Sequence, residues 1–172
     1  MITECLDSVD STVNSTEIAF SYHAINNSSL LQYANTQLPH QGILKYDELE
    51  QYCYLKIHDD FICKLFHFLD QDNINMPNYF NAKNRVGAHI SVIYPNEVEI
   101  SKLADNNKLT EVDQCFNFTT TDLIKVNTFE KAFIALVVSS PSLQQLRIKY
   151  GLKTKLNYRG LLVPFHITIA TS

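Results

Sequence analysis

Apolar residues along this 172-residue chain gather in short runs with two different spacings. Lys131-Ala132-Phe133-Ile134-Ala135-Leu136-Val137-Val138 is continuous and of strand length, and Gln51 to Ile57, rich in Tyr, Leu and Ile, also favours a strand. Ala88-His89-Ile90-Ser91-Val92 and Phe165-His166-Ile167-Thr168-Ile169 alternate with period two, the mark of strands with one buried face. Helical spacing occurs in two places. Phe61, Ile62, Leu65, Phe66 and Leu69 follow a capping Asp59 or Asp60, and Leu143, Leu146 and Tyr150 follow Ser140-Pro141 and stop at Gly151. A loop from Asp72 to Arg85 leads into the first histidine strand, and a loop to Pro164 leads into the second. The order strand, helix, loop, histidine strand therefore occurs twice, which predicts an α+β protein of two lobes with one histidine strand in each.

The rest of the chain is less patterned. Residues 7–16 and 26–37 are rich in Ser, Thr and Asn and read as turns or mobile chain, with a possible strand from Glu17 to Ile25 between them. Phe116 to Thr119 and Leu123 to Val126 read as strand pieces between the lobes. The simplest organisation is one domain over residues 1–172, with its core in residues 46–172 and a partly irregular N-terminal segment, 1–45.

The two histidine strands carry the chemistry. Successive side chains in a strand alternate between faces, so His89 and Ser91 project to one side and His166 and Thr168 do the same. Imidazole gives or takes a proton near neutrality, and two can serve as an acid and base pair. The hydroxyls beside them suit a reacting group with oxygens to be held, as in a phosphate.

A pair of His-x-Ser/Thr motifs in apolar strands, several tens of residues apart, resembles the signature of the 2H phosphoesterase superfamily. The resemblance covers roughly residues 46–172, with Ser91 where threonine is commoner. It implies a two-lobed, pseudo-twofold α+β fold, with antiparallel sheets flanked by helices around a central groove. It also implies action on 2′,3′-cyclic phosphates or on 3′-5′ or 2′-5′ linkages, usually without metal. His89 and His166 would then be the catalytic acid and base, and Ser91 and Thr168 would bind the phosphate.

Charge narrows the substrate. The formal net charge is −4, with 14 basic and 18 acidic residues, which argues against the broad basic surface that long nucleic acids require and favours a small nucleotide or single-stranded oligonucleotide. The balance is uneven. Arg147, Lys149, Lys153, Lys155 and Arg159 occur with Tyr150 and Tyr158 and no acidic residue, so this stretch is either a solvated helix end and loop or a substrate contact. Lys155, Tyr158 and Arg159, in the loop before the second motif, are the substrate-binding candidates.

Four cysteines, Cys5, Cys53, Cys63 and Cys115, form no C-x-x-C pair, which fits reduced thiols in a cytoplasmic setting. The start of the sequence lacks a secretory pattern, and no apolar run reaches the ~18 residues of a membrane span. Glycosylation triplets such as Asn14-Ser15-Thr16 are expected by chance in so Asn- and Ser-rich a chain. His58 and His67 read as structural or surface groups, His23 and His40 lie in the poorly defined N-terminal part, and Tyr94 reads as packing. No metal site, cofactor or protein partner is implied.

Two rival classes remain. One is a nucleotide- or RNA-binding module that kept the fold and lost turnover, for which a motif residue should be missing. The other is a different histidine enzyme such as an acyl transferase, which needs a nucleophile and orienting carboxylate that the sequence does not identify.

Overall fold

In a computed structural model, residues 21–80, 86–103, 108–128 and 130–172 are described. The expectations for residues 7–16, for Glu17 to Phe20, for Cys5, for Asn14-Ser15-Thr16 and for the end of the Asp72–Arg85 loop fall outside them. The protein is α+β, built on two four-stranded antiparallel sheets. The first sheet has the order β1 (Ser21–Ala24), β6 (Thr119–Asn127), β7 (Ala132–Ser139), β10 (His166–Thr171). The second has the order β4 (His89–Ile93), β3 (Tyr52–Lys56), β2 (Gln41–Asp47), β5 (Cys115–Asn117). Each histidine strand thus lies at an edge of its sheet, and the two edges pack against each other.

Local sequence explains most of these elements. Ser140 caps α4 (Pro141–Lys149): its Oγ accepts from the Leu143 N–H, and Pro141 supplies a preset φ at the first turn. Gly151, at φ +80°, ends the helix where an L side chain would be strained. The helix expected up to Leu69 is shorter than its spacing suggests, with an α-helical turn α2 (Asp60–Cys63) followed by a 3₁₀ turn (Leu65–Phe68). The twice-repeated order is present, as β3, α2, loop, β4 and as β7, α4, β10. The second connection also contains a hairpin, β8 (Leu156–Tyr158) with β9 (Leu161–Val163), where a plain loop was expected.

The expectation of turns or mobile chain over residues 26–37 is corrected by a helix, α1 (Ser28–Gln37). The polar residues that suggested a turn are its cap: Asn27 Oδ1 accepts from the Leu30 N–H at 3.0 Å. Leu30 and Ala34, four apart, are its buried stripe. Strand β2 likewise begins at Gln41, so the ordered core reaches well before residue 46, joining Leu30, Ala34 and Leu44 to Leu55, Ile90, Leu136 and Ile167 in one apolar cluster.

The helices are crossed between the sheets. α2 follows β3 of the second sheet in sequence and packs on β10 of the first, while α4 follows β7 of the first sheet and packs on β4 of the second. Arg147 of α4 is the lock on this arrangement. Its guanidinium is buried against Glu97 of α3 (Pro95–Val98), with side chains only 1% and 2% exposed, through Nη2–Oε1 at 2.6 Å and Nη1–Oε2 at 3.0 Å. It also donates to the carbonyls of Val92, Lys153 and Lys155 at 2.6–2.7 Å. Glu97 in turn accepts from the Tyr94 and Asn157 N–H groups. Arg147 is therefore an internal brace and leaves the set of surface cations that its sequence context suggested.

Removing one partner of such a pair leaves the other charge buried and unpaired. Arg147→Met is expected to cost about 3–5 kcal/mol of stability, read as a lowered urea midpoint at an unchanged slope, whereas pairing it with Glu97→Gln should recover a large part of the loss.

Candidate active site

Each motif histidine is set by the two residues before it. The His89 Nδ1–H donates to the Gly87 carbonyl at 2.8 Å, and the His166 Nδ1–H donates to the Pro164 carbonyl at 2.8 Å. A carbonyl only accepts, so both rings carry their proton on Nδ1 and keep the Nε2 lone pair for the site. Gly87 adopts φ +75°, and a Cβ there would stand 2.7 Å from Asp59 Oδ1, the same oxygen that accepts from the Ala88 N–H at 3.0 Å. Asp59, expected as a helix cap, is the N-cap of α2 by position, but it makes no side-chain cap bond and fixes the start of β4 instead.

His89 and His166 come together across the packed edges of β4 and β10, close enough for His166 to disfavour a charge on His89. Burial lowers the pKa of both imidazoles below the usual value of 6.5. The carbonyl bonds from Gly87 and Pro164 oppose that shift, and His166 adds to it at His89.

The surroundings of the two rings differ. His89 has three tyrosines against it: Tyr79 with ring centroids 4.8 Å apart, Tyr54 at 5.8 Å and Tyr52 at 6.0 Å. Tyr52 and Tyr54 alternate along β3 onto the face that carries His89 and Ser91, because Tyr54 pairs with Ser91 and Lys56 with His89. Ser91, 9% exposed, shares a 2.6 Å hydrogen bond with the Tyr52 hydroxyl. Burial drives the Tyr52 phenol far above its ordinary range, so it stays protonated. Tyr94 is pushed up to about 12 by burial, with a hydrogen bond to Ser91 acting the other way. Its ring does pack, as expected, but its hydroxyl belongs to the Ser91 cluster. Tyr79 bridges the motifs. Its ring rests on His89 and its hydroxyl is 3.5 Å from the Thr168 carbonyl, while its loop is tied to β10 through paired Asn75 and Thr171 backbone bonds.

Among the substrate-binding candidates, Tyr158 joins the site by rings: it meets Tyr94 edge-on at 6.0 Å, and Tyr94 stacks on Tyr52. Arg159 lies over the Tyr158 ring at 5.6 Å, one contact further out. Lys155 is exposed and is tied in through its backbone carbonyl to Arg147. His23, His58 and His67 are exposed, and His40 sits at the head of β2 between Phe61 and Phe118. Among the described residues, no group of three His, Cys, Asp or Glu side chains is gathered as a metal site. Likewise, no helix among them is long and apolar enough to cross a membrane.

Tyr52, Tyr54, Tyr79 and Gly87 are the residues that sequence reasoning missed. The signal for Tyr52 and Tyr54 was their i, i+2 spacing in a strand. Which face they share became visible only with the register of β3 against β4. A family model described as a Swiss Army Knife, 2H phosphoesterase domain matches residues 53–172, more than half of the chain and both motifs. No curated protein and no solved structure matches.

The burial of the two rings has a measurable consequence. Their folded pKa values lie below the unfolded value of about 6.5, so the unfolded chain binds more protons in acid. Stability from these sites is complete above about pH 6.5 and is lost as pH falls toward the folded values. NMR titration of His89 and His166 should give midpoints below 6.5, with the Nδ1–H tautomer in the neutral form. Replacing either ring by Gln should flatten the acid limb of the stability curve.

Proposed function

Because the chain belongs to the 2H phosphoesterase family, we propose that it is a metal-independent phosphodiesterase that cleaves a small nucleotide, a cyclic phosphate or the end of an oligonucleotide or RNA by paired-histidine acid-base catalysis. The observation that carries this reading is the matched pair of imidazoles, each held by a carbonyl on Nδ1 and each leaving Nε2 for the site. A phosphoryl centre between them can be served from both sides, as an in-line displacement requires. One neutral Nε2 takes the proton of water or of a ribose 2′-hydroxyl, and the O–P bond forms from that oxygen. The other imidazole, protonated, delivers its proton to the departing oxygen as the second P–O bond breaks.

The hydroxyls take the non-bridging oxygens. If the protonated Tyr52 phenol donates to Ser91 Oγ, the Ser91 proton is left to point at the phosphate, and the bond it makes there is strengthened by the one it accepts. Thr168 fills the equivalent place from β10. The three described cysteines are unpaired, in keeping with a cytoplasmic, reducing setting.

In excess chelator, His89→Ala and His166→Ala should each lower turnover by about 10²–10⁴-fold, and Ser91→Ala and Thr168→Ala by about ten- to a hundred-fold. His67→Ala, outside both motifs, should leave the rate unchanged. Full activity in folded His89→Ala or His166→Ala protein would overturn the reading.

The pH profiles should differ in a fixed direction. Catalysis needs one ring charged and one neutral, and both are depressed in the free protein. The kcat/KM optimum should therefore lie on the acid side of about 6.5, while a bound phosphate anion stabilises the imidazolium and moves the kcat profile to higher pH.

A further inference from the structure

Strand register places Lys56 of β3 directly opposite His89, Ile43 of β2 opposite Lys56, and Cys115 of β5 opposite Ile43. Partners opposite one another in a sheet project to the same face, so His89, Lys56, Ile43 and Cys115 form one row across its outer surface. At about 4.8 Å per strand, the row runs about 14 Å from the imidazole to the far edge. Its members beyond His89 are open to solvent: Lys56 and Cys115 are exposed, and the apolar Ile43 is 38% exposed.

The row ends in a cleft. Gln41, Ile43, Lys56, His58 and Cys115 line a depression of about 230 Å³, and Cys115 Sγ points to Gln41 Oε1 at 3.9 Å. The volume is below the roughly 300–1,000 Å³ of pockets that enclose drug-sized molecules, so it suits one ring system with its substituents. Lys45 is held by Asp113 and Lys149 by Glu111, but among the described residues Lys56 has no such carboxylate. An uncommitted ammonium therefore stands between the imidazole and an apolar floor rimmed by amide and thiol groups.

We propose that this cleft is a subsite for the nucleoside on one side of the scissile phosphate, with Lys56 neutralising phosphate oxygens beside His89 and Ile43 packing under the sugar or base. The substrate class that fits is a phosphodiester joining two nucleosides, or the end of a longer single strand. A cyclic mononucleotide would use the histidines and leave the cleft empty. This rests on the phosphodiesterase reading and adds a direction and a minimum length to the substrate.

The test uses the full chain carrying His166→Ala, so that probes bind without being consumed. Adenylyl-(3′→5′)-adenosine and adenosine 2′,3′-cyclic phosphate are titrated by calorimetry, and iodoacetamide labelling of Cys115 is followed by peptide mass mapping with each probe at saturation. The dinucleotide should slow Cys115 alkylation several-fold, and the cyclic mononucleotide should leave it at the free rate. Ile43→Trp, which fills the cleft, should weaken the dinucleotide by about ten-fold or more and leave the cyclic mononucleotide unaffected, whereas Lys56→Gln should weaken both, because both place a phosphate beside His89. Binding of the dinucleotide with Cys115 unprotected and both variants neutral would overturn the subsite and leave the phosphodiesterase reading standing, as would binding of the cyclic mononucleotide alone. Binding of neither probe would overturn both.

Discussion

The buried pair of Arg147 and Glu97 is the constraint on which the arrangement of the candidate active site depends. Five hydrogen bonds from one guanidinium reach α3, the end of β4 and the chain that leads into β8. A buried ion pair of this kind contributes little net energy compared with an apolar replacement, because both ions must leave water. Its effect is geometric. Each of its partners is a backbone carbonyl or a carboxylate that would otherwise be stranded in the core, so only one relative placement of β4, α3 and α4 satisfies all of them. Tyr94, whose N–H is bound by Glu97, is held by the same network, and through Tyr94 the ring contacts run to Tyr52 and Ser91.

The site itself is organised by what it excludes. Burial of both imidazoles and of the Tyr52 phenol removes water from around the motif residues, which makes a charge costly until a compensating one arrives. An anionic phosphate would be such a compensating group, and under the proposed function its arrival would favour the mixed protonation state that acid-base catalysis needs. The two halves contribute unequally: tyrosines surround His89 and Ser91, whereas β10 presents His166 and Thr168 beside the aliphatic Val137 and Ala135 of β7.

Much of this was legible in the sequence. The strands at residues 51–57 and 131–138, the α4 helix with its Ser140 cap and Gly151 stop, and both histidine strands could be read because local spacing and capping chemistry specify them. What failed did so for physical reasons. The Asn and Ser residues before Leu30 serve equally in a turn and in a helix cap, and only the tertiary contacts of Leu30 and Ala34 decide between them. Arg147 looked like part of a basic surface because its carboxylate partner lies far away in the chain. The tyrosine cage depends on strand register, which is a property of pairs of segments and cannot be read from either alone.

The crossed packing of α2 on β10 and α4 on β4 has a mechanical consequence. In a protein whose lobes were each self-contained, the two histidine strands could part by rotation about the connecting chain, and the reach between the imidazoles would adapt to the ligand. Here each lobe is clasped by a helix of the other, so any hinge opening would have to strip apolar side chains from both contacts at once. The imidazoles are held like the fixed jaws of a gauge, and under the proposed function selection among phosphate esters would be made by whether the reacting centre spans a preset gap.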